Sequence, residues 1–251
     1  MRQIMSRTLT ALLLAAAMGT PLRADDTVDS GAYLAARIAE SENDFRAAAT
    51  WYGKAIIADS SNPRLLDGAI LAELGIGDFA LAIEAAKLRK AVEGEASQLA
   101  EMALLADEAQ REDYAAILAA TEAGRDVGQL TNALVAAWAK VGEGKMSDAV
   151  EAFDAVTTQK GFEAFGYYHK ALALASVGDF EGADEILSGR AAGPIYVMRR
   201  GVFAHAQILS QLERNAEALT LLDRTFGSDP DPIVDAVRRR LAAGEPMPFD
   251  T

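Results

Sequence analysis

An acidic residue followed by an aromatic residue recurs along this chain at nearly constant intervals. The intact pairs are Asp44-Phe45, Asp78-Phe79, Asp113-Tyr114 and Asp179-Phe180, and Lys145-Met146 and Arg214-Asn215 occupy the same place in two degraded copies. Successive copies lie 34, 35, 32, 34 and 35 residues apart. A period of about 34 residues is typical of arrays of helical hairpins. The spacing therefore predicts an all-α solenoid with one hairpin for each copy.

Alanines occupy fixed places in this period when each unit is numbered from 1 to 34, starting near Asp29. They stand at position 20 in five units and at position 8 in four, namely Ala48, Ala82, Ala149, Ala183 and Ala218, and Ala36, Ala137, Ala171 and Ala206. Small side chains let packed helices approach closely. A high alanine content alone would favour helices, but it would not place alanines at one phase of the repeat. We therefore expect these alanines at the contacts within and between hairpins.

The pattern resembles that of the tetratricopeptide repeat (TPR) family over about residues 29–231. The matching residues are the turn glycines Gly77, Gly144 and Gly178, the first aromatics Phe45, Phe79, Tyr114 and Phe180, the second aromatics Tyr52 and Phe153, and the closing dipeptide Asp229-Pro230. The third unit departs from the pattern, because Leu105 and Ile117 replace small residues. The resemblance implies a right-handed superhelix with a concave groove that binds peptides or proteins.

Proline placement supports the division into units. Pro63 and Pro194 are the only prolines between residues 25 and 228, and both fall at unit boundaries, where a helix-breaking residue is tolerated. Asn43-Asp44 is predicted to form a turn and to cap a second helix. The predicted segments are a lead-in over 25–28, a solenoid over 29–242 with units near 29–62, 63–96, 97–128, 129–162, 163–197 and 198–231 and a short helix over 233–241, and an unstructured tail over 243–251.

Residues 1–24 have the layout of a secretory signal peptide. A basic start precedes an apolar run of Leu and Ala over residues 9–18, and Ala24 provides a small residue before Asp25. This layout predicts export to the periplasm with cleavage near Ala24. The apolar run is too short for a membrane-spanning helix, which needs about 20 residues. A short N-terminal membrane anchor and a buried helix are the alternatives.

Removal of this leader leaves a strongly acidic chain. The whole chain has a net charge of −13, and the leader carries three arginines and no acidic residue, so the mature charge is −13 − 3 = −16. Such a charge disfavours binding to nucleic acid and to anionic lipid surfaces. We therefore expect no nucleic-acid partner and, since no other stretch is long and apolar enough to span a bilayer, no stable membrane insertion after cleavage.

The residue types indicate no catalytic, cofactor or metal site. There is no cysteine, which excludes thiol catalysis and thiolate metal sites. His169 and His205 lack a third ligand in a suitable pattern, so we interpret them as ordinary helix residues. The carboxylates are expected to be scattered over solvent faces, with no pair placed for acid–base chemistry. The sequence thus predicts a protein that is not an enzyme and uses no cofactor or metal.

The resemblance also implies which residues face the groove, because particular positions of the first helices do so in the TPR family. Mapped onto this sequence, they are Tyr33, Leu34, Arg37, Leu71, Leu74, Met102, Leu134, Val135, Trp138, Tyr168, His169, Leu172, Phe203 and Gln207, with Phe165 beside them. This face is apolar and aromatic in the middle and polar at its ends, and contiguous exposed apolar patches usually mark binding surfaces. We expect these side chains to face the groove and not to form contacts between helices. The alternative is that some belong to the core, if the repeat phase is shifted by one position.

The first hypothesis is an exported, non-enzymatic TPR scaffold that binds a protein or peptide segment in this groove. The alternative is a structural segment of a longer solenoid or envelope assembly, with the groove filled by its own chain. Solenoids usually end in a polar capping helix, and the one predicted here is short. Two expectations for this end therefore stay open: a continuation beyond Thr251, and a partner or second copy that covers it.

Overall fold

The computed structural model describes residues 29–92, 96–227 and 231–249. Within these ranges the chain forms thirteen α-helices and no β-strand, which confirms the all-α prediction. The first helices of successive hairpins are α1 (Ser30–Ser41), α3 (Pro63–Ile76), α5 (Gln98–Gln110), α7 (Gln129–Gly142), α9 (Glu163–Ser176) and α11 (Arg199–Gln211). The second helices are α2 (Phe45–Ala58), α4 (Phe79–Ala91), α6 (Tyr114–Glu122), α8 (Met146–Thr157), α10 (Phe180–Leu187) and α12 (Asn215–Phe226), and α13 (Pro232–Ala242) follows them. The predicted leader and lead-in, residues 1–28, lie outside the described residues.

The recurring acidic residue caps the second helix of its hairpin. The side chains of Asp44, Asp78, Asp113 and Asp179 each accept a hydrogen bond from the backbone N–H three residues further on, at 2.9 to 3.1 Å. Such a cap satisfies an N–H that the helix leaves unpaired, and its loss typically costs about 1 kcal/mol. Lys145 and Arg214 make no such bond in the two degraded copies. The repeated acid is thus explained by helix capping.

The alanines at positions 8 and 20 form the contacts between helices, as predicted. All nine have an exposed fraction of 0%. In the third unit Ile117 is buried and Leu105 is half-buried, and α5 and α6 pack less closely than the helices of the other hairpins. Larger side chains at these two positions hold the helices apart, because a helix pair approaches only as closely as the side chains between them allow.

Two of the first aromatics, Phe45 and Tyr114, pack onto the end of the next unit's first helix. A Cβ atom added to Gly75 would lie 2.5 Å from Cγ of Phe45, and one added to Gly142 would lie 2.4 Å from Cζ of Tyr114. These positions therefore have room for glycine and for no larger residue unless the ring moves. The buried residues form a series of clusters along the chain, as expected for a solenoid.

The expectation that the carboxylates lie scattered over solvent faces is wrong for Glu101 and Glu108. Arg125, whose side chain is 2% exposed, donates through Nε to Glu101 at 3.1 Å and through both terminal nitrogens to Glu108 at 2.6 Å. Lys90 also pairs with Glu101. The network closes the third unit after the short helix α6. Periodicity could not show it, because Arg125 lies in the connection that follows that helix.

The same expectation is wrong for Asp184 in α10, which is 1% exposed. Its carboxylate accepts hydrogen bonds from Arg190 at 2.6 Å, from Arg214 at 2.5 Å and from Nε2 of His205 at 2.7 Å. Burial alone would raise the pKa of Asp184, but these three bonds outweigh it and lower the pKa to about 2. The acid therefore stays ionised in the fold, and His205 donates to it as a neutral imidazole whose pKa is lowered chiefly by its own burial.

The prediction of an unstructured tail over 243–251 is wrong for its described part. Residues 244–249 form no helix, but Met247 is 7% exposed and packs in the core cluster that contains Leu222 and Leu241. Its backbone N–H donates to Oγ of Ser210 at 2.9 Å. A short segment without periodicity gives no pattern signal, and its place in the fold follows from these individual contacts.

Candidate partner-binding face

The first helices share one surface, which we call the inner face and define by the side chains that line three depressions along it. The first depression, about 430 Å³, is lined by residues of α1 and α3 with Leu99 of α5 and Tyr52 of α2. The central depression, about 810 Å³, lies mainly among α5, α7 and α9. The third, about 570 Å³, lies among α7, α9 and α11. Trp138 and His169 line both the central and the third depression, which are therefore continuous.

Most of the residues predicted to face the groove lie in these depressions. The first contains Tyr33, Arg37 and Leu71; the central one contains Met102, Leu134, Val135, Trp138, Phe165 and His169; the third contains Trp138, Tyr168, His169, Leu172, Phe203 and Gln207. Leu34 and Leu74 lie outside them. Leu34 is 60% exposed, and Leu74 packs against the first core cluster. None of the predicted residues is fully buried, but six of them pack against the core clusters, namely Tyr33, Leu74, Leu134, Trp138, Tyr168 and Phe203.

The central depression is apolar and carries no Asp, Glu, Lys or Arg among its lining residues. Met102 and Phe165 are 50% and 48% exposed on its walls. Leu105, Tyr114, Ile117 and Leu130 also line it, and sequence reasoning did not assign them to the site. The available signal was the replacement of small residues at Leu105 and Ile117, because the loosely packed third unit leaves this space beside α7.

Trp138 and His169 form a hydrogen-bonded pair where the central and third depressions meet. Nε1 of Trp138 donates to Nδ1 of His169 at 3.0 Å. An imidazole that accepts at Nδ1 is neutral and carries its proton on Nε2. Burial lowers the pKa of His169, which favours this neutral form at pH 7. The wall shared by the two depressions is thus uncharged, and Tyr168 packs edge-on against the same imidazole at 5.3 Å between ring centroids.

The expectation that the groove residues make no contacts between helices is wrong for several of the aromatics. Trp138 packs edge-on against the buried Phe153 of α8, with 5.7 Å between ring centroids. Phe203 stacks on Phe226 of α12 at 5.6 Å. A side chain at the edge of a helix interface can contact the partner helix and the solvent at once, so truncation of these rings would loosen the hairpins as well as alter the surface. Met102 and Phe165 are therefore better reporters of binding.

Four charged side chains line the first depression: Arg37, Glu40, Arg64 and Asp67. Arg37 donates to Glu40 at 3.0 Å, and the hydroxyl of Tyr52 donates to the same carboxylate. Burial, followed by the hydrogen bond to Glu40, raises the pKa of Tyr52 to about 12. At the opposite end Arg200 lines the third depression, so the apolar centre lies between charged ends.

Two further properties of the described residues bear on the class of site. None of the helices within 29–92, 96–227 and 231–249 is long and apolar enough to cross a membrane. No group of three or more His, Asp and Glu side chains in that part of the chain is arranged to hold a metal ion. His205 is engaged by Asp184, and His169 by Trp138.

Comparison with known proteins gives a likeness to a solved structure. No protein-family model matches this chain, and no curated protein matches it. A crystal structure of a TPR protein from Parabacteroides merdae matches with a TM-score of 0.58, covering 82% of this chain and 81% of that chain at 11% sequence identity. At this identity the likeness concerns the fold alone. Together with the helix order, it shows that this chain has a TPR-like α-solenoid fold.

Proposed function

We propose that this protein is an exported, non-enzymatic scaffold that binds a protein or peptide segment along its inner face. The observation that carries the proposal is the central depression of about 810 Å³, lined by uncharged residues and left open between charged ends. Soluble proteins seldom leave contiguous apolar surface exposed unless a ligand or partner covers it. A segment with an uncharged, apolar centre would match this distribution, because no charge on the wall has to be desolvated without a partner.

Phe165 is the most informative side chain for a test. It is 48% exposed, and full burial of a Phe side chain stabilises by about 1.5–3 kcal/mol, so about half of that is available to a partner. We expect Phe165→Ala to weaken partner binding by about three- to tenfold, which corresponds to about 0.7–1.4 kcal/mol. The measurement is retention of partners from an envelope extract on a column that carries the purified variant, together with its thermal melt.

Phe79→Ala provides the matched control. Phe79 is 59% exposed at the start of α4 and lines none of the three depressions. This variant should retain partners as the unchanged protein does. Equal retention by both variants would refute the assignment of the central depression, and a much lower melting temperature for Phe165→Ala would show that this ring is needed for folding.

Export is proposed from the sequence layout of residues 1–24, and the acidic, cysteine-free remainder suits an oxidising compartment. N-terminal sequencing of the protein from a periplasmic fraction should give a start at or near Asp25. A chain that retains Met1 in the cytoplasm would contradict export.

A second candidate is a structural segment of a larger assembly whose groove is filled by its own chain. The contact between residues 246–249 and the end of α11 favours it, because part of this chain already lies beside the first helices. The described tail leaves the central depression uncovered, which is why binding in trans is the first proposal. If Phe165→Ala weakens the retention of partners, binding in trans is favoured over a groove that is filled by this chain.

A further inference from the structure

The C-terminal segment Pro246–Phe249 is held by its backbone as well as by its side chains. The N–H of Met247 donates to Oγ of Ser210 at 2.9 Å, and the side-chain amide of Gln211 donates to the carbonyl of Met247. Proline has no N–H, so Met247 offers the one donor in Pro246-Met247-Pro248, and Ser210 satisfies it. The two bonds to one residue recognise an extended chain without reading its side chains.

Side-chain contacts add apolar selectivity at two positions. Met247 is 7% exposed and lies in the core cluster with Leu209 and Leu241. Phe249 packs edge-on against Phe180 with 6.1 Å between ring centroids. The prolines on either side of Met247 are exposed and restrict φ, which lowers the entropy lost when such a segment is fixed. The binding elements are therefore an apolar residue, a proline and an aromatic residue in sequence.

This contact lies at the end of the inner face. Ser210 and Gln211 follow Gln207 by about one helical turn of α11, so they lie on its side of the helix. A depression of about 570 Å³ between the segment and α9 is lined by Ser176, which also lines the central depression. The segment therefore lies on a surface that is continuous with the candidate partner-binding face.

We propose that this end of the inner face is a recognition site for an extended apolar–Pro–aromatic segment, which residues 246–249 occupy in cis and a partner segment of the same chemistry occupies by displacement. This inference rests on the proposed function and adds the chemistry of the partner segment. Displacement is possible because the segment belongs to no helix and follows Gly244, whose φ of 73° lets the chain leave α13 in a sharp turn. While in place, the segment competes at an effective concentration of the order of millimolar.

The test uses the full chain and a labelled synthetic peptide with the sequence of residues 245–250, with binding followed by fluorescence anisotropy. Phe249→Ala, which releases the aromatic anchor, should bind the peptide at least tenfold more tightly than the unchanged protein. Met247→Ser removes the buried apolar contact of the segment and should also make the protein bind the peptide more tightly. A peptide with serine in place of both methionine and phenylalanine should bind at least tenfold more weakly.

The recognition residue has a matched control within the repeat. Gln211 ends α11 as Gln110 ends α5. In the Phe249→Ala background, Gln211→Ala should lower peptide affinity at least tenfold, and Gln110→Ala should leave it unchanged. Absence of peptide binding by folded release variants, or equal binding by the two glutamine variants, would overturn the inference. Loss of a cooperative melt in both release variants would also overturn it, since the segment would then be a fixed part of the core.

This result is separable from that of the proposed function. If Gln211→Ala weakens peptide binding but Phe165→Ala does not change partner retention, the recognition site is supported and the role of the central depression is refuted. If Phe165→Ala weakens partner retention but no peptide binding is found, the central depression is supported and the recognition site is refuted.

Discussion

The buried carboxylate of Asp184 makes the stability of this protein depend on pH in a way that can be worked out from its surroundings. The pKa of Asp184 is lowered from 3.8 to about 2 in the fold. A difference of nearly two pH units corresponds to about 2 kcal/mol of stability. Because the folded pKa is the lower one, this contribution is fully present above the unfolded pKa and is lost as the pH falls. About half of this contribution should be lost at pH 3 and most of it at pH 2.

The perturbation is Asp184→Asn, which keeps the shape of the side chain and removes its charge. At pH 7 it should lower the free energy of unfolding by about 2–3 kcal/mol, less than the upper end for a broken buried ion pair, because the side chains of Arg190 and Arg214 are 52% and 31% exposed and can be solvated. The assay is urea unfolding followed by circular dichroism at pH 7, 5, 3 and 2. Unlike the variant, the unchanged protein should lose this contribution between pH 5 and 2.

Glu151→Gln is the control, because Glu151 is exposed on α8 and should change stability by no more than about 0.5 kcal/mol. The pKa of His205 is also lowered in the fold. Its contribution to stability is therefore present above the unfolded pKa of 6.5 and is likewise lost as the pH falls. A difference between Asp184→Asn and the unchanged protein that stays constant from pH 5 to pH 2 would refute the reasoning.

Other predictions concern the repeat contacts and the pair at the middle of the inner face. Ala149→Phe should cost about 1–3 kcal/mol through overpacking, as Ala149 is 0% exposed, and a melting temperature equal to that of Glu151→Gln would contradict the repeat phase. Gly142→Ala should lower the melting temperature, because its Cβ would lie 2.4 Å from the ring of Tyr114; an unchanged melt would show that the ring moves freely. Acidification that protonates His169 should break its bond from Trp138 and change tryptophan fluorescence below pH 6.5, whereas a signal that stays flat until global unfolding would count against the pair.

The repeat phase could be predicted from the sequence because each of its signals has a local cause. Asp44 and its counterparts cap helices, which depends on the neighbouring three residues, and alanines such as Ala149 mark helix contacts that recur with the period. These interactions are the same in each unit, so a regular spacing is sufficient to reveal them. The order and type of the helices follow directly.

The rest depends on contacts that occur once. Arg214 stands where a capping acid would be expected, and it reaches Asp184 and Glu217 instead, so a residue that looks like a degraded cap closes a buried ion network. Trp138 has a groove position but also contacts Phe153, because one indole spans both the surface and the hairpin interface. Met247 lies in an aperiodic segment whose place is set by two hydrogen bonds. None of these follows from the period.

The central claim, that a partner segment lies on the inner face, is tested most directly by crosslinking in cells that produce the protein. A photoreactive amino acid at Met102, which is 50% exposed in the central depression, is compared with one at Leu81, which is 54% exposed on the second helix α4. The account predicts a discrete crosslinked adduct from position 102, reduced by Phe165→Ala, and none from position 81. Equal adducts from both positions, or none from position 102 in a correctly folded protein, would contradict it.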